Sequence, residues 1–319
     1  MRKVYWLSIL LFTIAPLSFG QEAASPAASS LRVMTFNLWV GGEAGGQPLG
    51  KSVEVIRAAQ ADLIGLQETG VVTGQGSRRD NAAKLAALLG FHYFDQGGGR
   101  GILSRFPIVT NTPGKWGVQI SVSSNRVAWM FNVHLAHAPY QPYQLLEIPY
   151  EGGAFLKTAG EAEMAAKAAR GHDVQALLKE LREPLRAGVP VFVTGDFNEP
   201  SHRDWTPAAA RAGLCPVAVE WPSTKALADA GLVDSFRAAQ PDERNQRGLT
   251  WTPITREDDP KDRHDRIDFV FFRARDLQLL KSEVVGEKSE RAAIVVKPYP
   301  SDHRAVVSTF QQLPTARTE

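Results

Sequence analysis

Thiols are nearly absent from this 319-residue chain, in which Cys215 is the one cysteine. A lone thiol closes no intramolecular disulfide and builds no thiolate zinc site, so stability rests on the core and any metal is held by other donors. Cys215, beside Pro216, reads as a small apolar residue. An excess of one charge is lacking too: 36 Lys and Arg face 34 Asp and Glu, and because Arg2 and Lys3 lie in a leader-like stretch without acids, the chain from residue 21 onward balances at 34 against 34. Proteins that hold long nucleic acid by neutralising its phosphates usually carry a basic excess, so the balance favours a compact substrate, although a local basic groove is compatible with it. No internal repeat and no low-complexity tract follows residue 30. The apolar run from Val4 to Leu17 is shorter than the ~20 residues that span a bilayer.

What is present begins with that run. Arg2 and Lys3, the apolar stretch and then Ser18-Phe19-Gly20 form a secretory signal layout over residues 1–20. Cleavage near Gln21 is expected, with a periplasmic or extracellular location and no membrane span afterwards. Residues 21–30, rich in Ala and Ser with one Pro, read as a flexible mature N-terminus, and 31–312 as one large domain. No feature calls for a second chain, and a monomer is the expectation.

Strand-like and helix-like segments alternate along that domain. LRVMTFNLW (31–39), ADLIGLQE (61–68), FHYF (91–94), GILS (101–104), VQISVS (118–123), RVAWMFNVHL (126–135), PVFVTGD (190–196), RIDFVFF (266–272) and RAVVSTF (304–310) read as strands. Residues 53–60 have helical spacing, Asp80 is placed to cap a helix ending at Leu89 before Gly90, and a long helix over about 158–183 is expected to be closed by Pro184 and interrupted at Gly171. The mixed order predicts an α/β protein whose sheet faces are covered by helices.

The chemistry gathers where strands end. Apolar runs terminate in Asn37, Glu68, His134, Asp196 with Asn198, Asp268, and Asp302-His303. Any one of these fits an ordinary polar loop. Together, Glu68, Asp196 and Asp302 are hard oxygen donors suited to Mg²⁺, Mn²⁺ or Ca²⁺. Phosphate-ester hydrolysis needs such a cation, an activated water and neutral donors around the phosphoryl oxygens, and Asn37, Asn198 and His134 can supply the last.

These residues occur in TFNLW, LQE, GILSRFP (101–107), NVHL, TGDFNEP, RIDFVF and SDH, in that order. In this the chain from Leu31 to about Phe310 resembles the endonuclease/exonuclease/phosphatase superfamily. The resemblance implies a four-layer α/β sandwich, two mixed β-sheets packed face to face with helices outside, and a site at one end of the sheets. It implies that Glu68 and Asn37 hold the principal metal, with Asp302 near the same cation or a second one. It further implies that Asp268 orients His303, that Asp196 and Asn198 align the attacking water, and that His134 donates to a non-bridging phosphoryl oxygen. Whether His303 or Asp196 takes the proton stays open. Hydrolysis of a small or lipid-linked phosphate ester with Mg²⁺ is the leading expectation, a secreted nuclease the alternative, and a binding protein without catalysis a remote third. A calcineurin-like metallophosphatase would need an Asn-His-Glu motif and a His-x-His pair, and neither occurs.

Several further residues are candidates. Asp265 and His264 rival Asp268, though their spacing suits the loop before the strand. His137, three residues after His134, is expected on a pocket wall or the surface. Arg100, among glycines, can reach a phosphate. Trp251 either lines the site or packs beneath its loop, and His202 and Trp205 lie where the family places loops close to substrate. Between about Ala138 and His172 an irregular insertion carries Tyr140, Tyr143, Tyr150 and Phe155. It reads as a lid that shapes the substrate site, with Tyr140 and Tyr143 as binding residues.

Overall fold

The computed structural model describes Met1, residues 30–72 and residues 78–313, with the backbone alone at 71, 72, 78 and 79. The signal and linker readings therefore lie, but for Met1 and Ser30, outside the described residues. One sheet runs β14 (Ile294–Val295), β13 (Leu277–Gly286), β15 (Ala305–Gln312), β1 (Ser30–Asn37), β2 (Leu63–Gln67), β6 (Arg100–Ser104), β5 (His92–Gly97). The other runs β11 (Val233–Asp234), β12 (Asp268–Arg273), β10 (Val191–Asp196), β9 (Arg126–His134), β8 (Gly117–Ser123), β7 (Ile108–Asn111). A two-stranded ribbon, β3 (Gly70–Val72) with β4 (Arg78–Asp80), stands apart. Both sheets are mixed, because β1 and β2 pair in parallel across the helix Gly50–Ala58, and β9 and β10 across the helix Ala159–Arg186.

Each strand repeats every two residues, so one series of side chains faces the other sheet and the alternate series faces outward. Val33, Leu63, Met130, Phe192 and Val270 meet in the cluster between the sheets. Their neighbours Met34, Ile64, Phe131, Val193 and Phe271 turn outward to clusters shared with the flanking helices. Two steps along from the apolar cluster, the inward positions become small and polar: Thr35, Gly65, Asn132 and Thr194. Two further, they are Asn37, Gln67, His134 and Asp196. The predicted four-layer sandwich is present, and the chemistry is the last inward row at one end of it.

The polar row is bonded across the gap. Gln67 Nε2 donates to Asn132 Oδ1 at 2.6 Å and to Thr35 Oγ1 at 3.2 Å, and Thr194 Oγ1 donates to Phe131 O at 3.1 Å. A buried amide without such partners would cost about 1–3 kcal/mol.

The Asp80 cap is present: its side chain accepts the Ala82 N–H, and Gly90 closes the helix with φ 71°, where an L side chain would be strained. The long helix departs from expectation. It runs through Gly171 unbroken and carries Pro184 inside its last turn, ending at Arg186. Pro184 forgoes one N–H there without blocking the start of the last turn.

The irregular insertion is consequently shorter than expected, ending at Thr158, whose hydroxyl and Glu161 form a capping box for the long helix. It contains a short helix, Gln141–Leu145. Tyr140 donates to Asp265 at 3.0 Å and Tyr143 donates to Asp262, so the segment is tied to the 251–265 loop. Buried Arg170 adds a second tie, donating to Gln141 Oε1 at 2.6 Å and Pro139 O at 3.2 Å. The expected lid is thus a fixed wall.

Candidate active site

Asp196 is the centre of the cleft. It ends β10, where its register partners are His134 on one side and Asp268 on the other. Its Oδ1 accepts the Asn198 N–H at 2.9 Å, and its Oδ2 accepts from Asn37 Nδ2 at 3.0 Å. The same Oδ2 lies 3.5 Å from His134 Nε2 and 3.7 Å from His303 Nε2. Glu68 stands across from it: Oε2 accepts the Val40 N–H at 2.9 Å, and Oε1 accepts from Asn37 Nδ2 at 3.2 Å.

Asn37 stands between the two acids. Its Oδ1 accepts the Trp39 N–H at 2.9 Å, which leaves the amide hydrogens, not an oxygen, directed at Glu68 and Asp196. It bridges two carboxylates, and its Oδ1, which accepts one N–H, keeps a second lone pair for a cation.

His303 is held on every side. Its Nδ1 pairs with Asp268 Oδ2 at 2.9 Å, its backbone N–H donates to Ser301 Oγ at 3.1 Å, and Ser301 in turn donates to Asn37 O at 2.7 Å. The Trp251 ring packs 4.9 Å away at 60°. Burial alone would lower the imidazole pKa, but Asp268, Asp196 and Asp302 outweigh it and raise it to about 10. Asp302 is pushed up to about 6, by burial first, with Glu68 and Asp196 adding and His303 opposing. Asp302 Oδ1 is buried without a hydrogen-bond partner. A buried carboxylate with an unmet oxygen beside two further acids is a concentration of negative charge that a divalent cation would relieve, and oxygen is the donor such a cation prefers.

Asp196, Asp268 and His303 also offer ligand atoms within 4.8 Å of one another. Asp268 and His303 already spend those contacts on each other, so this trio fits a proton path better than a cage for a cation. The carboxylates left for a hard cation are Glu68, Asp302 and Asp196.

Backbone strain gathers at the same place. Trp39, Val40, Glu68 and Asn198 all have φ between 48° and 56°, a region L residues avoid and a β-branched Val especially so. The surrounding bonds hold it there.

These groups line a cleft of about 320 Å³. The geometry brings to it Glu68, His134, Asp196, Asn198, Asp302, His303, Tyr140, Tyr143 and Trp251, with Asn37 and Asp268 directly behind. Asn198 donates its amide to Leu135 O at 3.1 Å. Of the two readings of Trp251, the one that lines the site holds. Arg100 is not brought in: its guanidinium lies 4.9 Å from the Trp116 ring. Trp205 and His202 are elsewhere as well, Trp205 donating to Asp265 at 3.0 Å and His202 bonding Thr224 at 2.9 Å. Asp265 and His264 serve the wall rather than His303, for His264 bonds Thr255 at 2.8 Å.

Trp39, Val40, His137, Tyr150 and Ile267 complete the lining. Sequence reasoning did not single out Trp39, Val40 or Ile267. Trp39 lies inside the TFNLW motif and Ile267 directly before Asp268, which is the signal they gave. Val40 gave none, since its place depends on the left-handed backbone.

The fold and the row of acids, amides and imidazoles define a phosphoester-hydrolase architecture. The sequence profile of the Endonuclease/Exonuclease/phosphatase family matches residues 34–303, and the chain belongs to that family. Its members are metal-dependent hydrolases of phosphate esters, and this chain is a hydrolase acting on ester bonds. "Uncharacterized protein F14F9.5" of Caenorhabditis elegans is similar to it, 27% identical with 95% of this chain and 98% of the relative covered. Among solved structures, an endonuclease/exonuclease/phosphatase from Beutenbergia cavernae is similar with a TM-score of 0.55 and 20% identity, over 89% of this chain and 72% of that one. D. rerio TDP2 complexed with single-strand DNA product gives 0.52 and 16%, over 89% of this chain and 100% of the other.

Proposed function

We propose that this chain hydrolyses a compact phosphate ester, small or lipid-linked, by attack of water assisted by Mg²⁺, with Mn²⁺ or Ca²⁺ as substitutes. The observation that carries the reading is Asp196 Oδ2, within 3.7 Å of the nitrogens of Asn37, His134 and His303 at the floor of a cleft lined by two further carboxylates. Glu68 and Asp302 would hold the cation, which when bound offsets the negative charge that builds on the phosphoryl oxygens. Asp196 and His303 align the water; Asp268 fixes the imidazole and holds its pKa up, so the proton of the water goes to Asp196. His134 Nε2 donates to a non-bridging oxygen, and Asn198, anchored through Leu135, keeps the Asp196 turn in place. A compact substrate is favoured because no Lys or Arg lines the cleft among the described residues. The single-strand DNA product in the TDP2 structure supports a nucleic-acid substrate as the second reading.

A panel of nitrophenyl mono- and diesters, lipid phosphodiesters, single-stranded DNA and supercoiled plasmid separates these, each assayed after chelation and on return of each cation. Chelated protein is expected to be inactive and to recover with Mg²⁺ or Mn²⁺; full turnover in excess chelator would sink the cation's role. Plasmid nicking faster than any small ester would favour the second reading.

Roles are separable by titration. Glu68→Gln is expected to lose metal affinity and rate together, whereas His303→Ala keeps metal affinity and loses about 10²–10⁴ in kcat. Equal loss of affinity in both variants would mean the roles are misassigned.

Action outside the cytoplasm rests on the signal layout of residues 1–20. N-terminal sequencing of expressed protein is expected to begin near Gln21, and a mature form still starting at Met1 would remove that part.

A further inference from the structure

Three tyrosines of the insertion line the cleft, but they are not equivalent. Tyr140 and Tyr143 are 6% and 8% exposed, and their hydroxyls are spent on Asp265 and Asp262, so they present only ring carbon to the cleft. Tyr150 is 36% exposed. Its ring stands edge-on to Tyr143, 5.5 Å away at 89°, and to His137, 6.3 Å away at 73°. The rigid wall therefore ends in a small aromatic ladder at the rim, with Tyr150 and His137 as its open rungs. Tyr150 shares the cleft lining with Glu68 and Asp196, and its phenol pKa is raised by burial first and then by the charges of Glu151, Glu68 and Asp196. Facing them, Trp39 and Val40 add further apolar surface.

The charges tell what such a rim selects. Every charged carboxylate lining the cleft belongs to the acid group at its floor, and no Lys or Arg answers them among the described residues. One phosphate can be met by a cation there. A second or third phosphate on the same substrate would enter against uncompensated acid, while a flat or apolar group gains contact with exposed ring faces.

We infer that Tyr150 and His137 form a specificity site for the part of the ester beyond the phosphate, and that this part is uncharged and flat or apolar. The inference rests on the phosphoesterase reading for the placement of the phosphate. It assigns Tyr150 and His137 to binding and gives them no share in the chemical step.

Calorimetric titration of Mg²⁺-loaded protein with phenylphosphonate, methylphosphonate and 4-phosphonobenzoate tests it without turnover. The phenyl compound is expected to bind about 5- to 10-fold tighter than the methyl one, the range that edge and face contacts of a ring supply. 4-Phosphonobenzoate, which carries a second charge too far from the phosphonate to chelate with it, is expected to bind more weakly than phenylphosphonate. Tyr150→Ala and His137→Ala should each shrink the phenyl preference, and the double variant should bring it to within about 2-fold. Both positions are at the surface, so melting curves of the variants should overlay the parent. Equal phenyl and methyl affinities in the parent, a preference that survives the double variant, phosphonobenzoate binding as tight as phenylphosphonate, or no binding of either simple phosphonate each overturns the inference. Phenyl preference that vanishes in the variants, in a protein that cleaves no ester of the panel, would leave this site standing and remove the hydrolytic reading instead.

Discussion

Asp196→Asn should lower kcat by about 10²–10⁴-fold on whichever ester of the panel is turned over fastest, the span that a positioned proton-transfer group supplies. The substitution keeps the shape and the bond from the Asn198 N–H while removing the charge that faces His134 and His303. It also puts an amide hydrogen where Asn37 donates, so the Asn37 bridge to Glu68 loses its second anchor. Stability should move little, because lost hydrogen bonds are offset by relief of crowding: the Asp196 charge is one of those that hold the Asp302 carboxyl up near 6. Steady-state kinetics with a thermal melt on the same sample checks both halves. A kcat within about 10-fold of the parent would take Asp196 out of the reaction path.

The largest expected loss of stability comes from a methyl group. In Gly65→Ala the new Cβ would lie 2.0 Å from Thr194 Oγ1 and 2.4 Å from Asn132 Oδ1, deep between the sheets. Neither neighbour is the free end of a flexible side chain. Thr194 donates to Phe131 O, and Asn132 Nδ2 donates to Leu66 O and Gln96 Oε1, each at 2.9 Å. Making room means parting the sheets or breaking the polar row, and overpacking together with an unmet buried polar group costs about 3–5 kcal/mol. For a domain of this size that corresponds to a fall in Tm of at least about 6 °C. Differential scanning calorimetry reads it directly, and a melt within about 2 °C of the parent would show the gap at Gly65 to be slack.

Much of this was legible in the chain because strand periodicity and chemistry are both local. The strands were readable from apolar runs that end in polar residues, the sandwich from the resemblance that those motifs carry, and Glu68, His134, Asp196, Asp268, Asp302 and His303 were singled out at the ends of the runs. Strand β13 escaped notice because LQLLKSEVVG mixes exposed and buried positions without a clean period, its place fixed by pairing with β15. Pro184 misled because a proline loses the bond to the carbonyl four residues back and crowds it, yet leaves the residues after it free to stay helical, as Leu185 and Arg186 do. The orientation of Asn37 was hidden for a related reason: spacing locates an amide but does not say which end of it faces inward, and the Trp39 N–H takes one lone pair of its Oδ1. Arg100 follows glycines, but its guanidinium lies over the Trp116 ring and it is not among the residues that line the cleft. The wall was visible as an interruption between two motifs, yet its stiffness was not, for the carboxylates that pin Tyr140 and Tyr143 lie more than a hundred residues away in sequence.

The inward rows have a mechanical consequence. Glu68 and Asp302 ride on the sheet of β1, β2 and β15, whereas His134, Asp196 and Asp268 ride on the sheet of β9, β10 and β12. The two groups of candidate site residues are thus carried on separate slabs, and an oily contact between slabs resists separation far better than it resists sliding. The amide and hydroxyl pegs act as dowels against shear: Thr35, Asn132 and Thr194 sit one row below the groups they keep aligned, and Gln67 reaches down to Asn132 from the same row as those groups. A repacked interior of equal volume, with those pegs exchanged for leucine and valine, would hold the slabs together and leave their alignment unguarded.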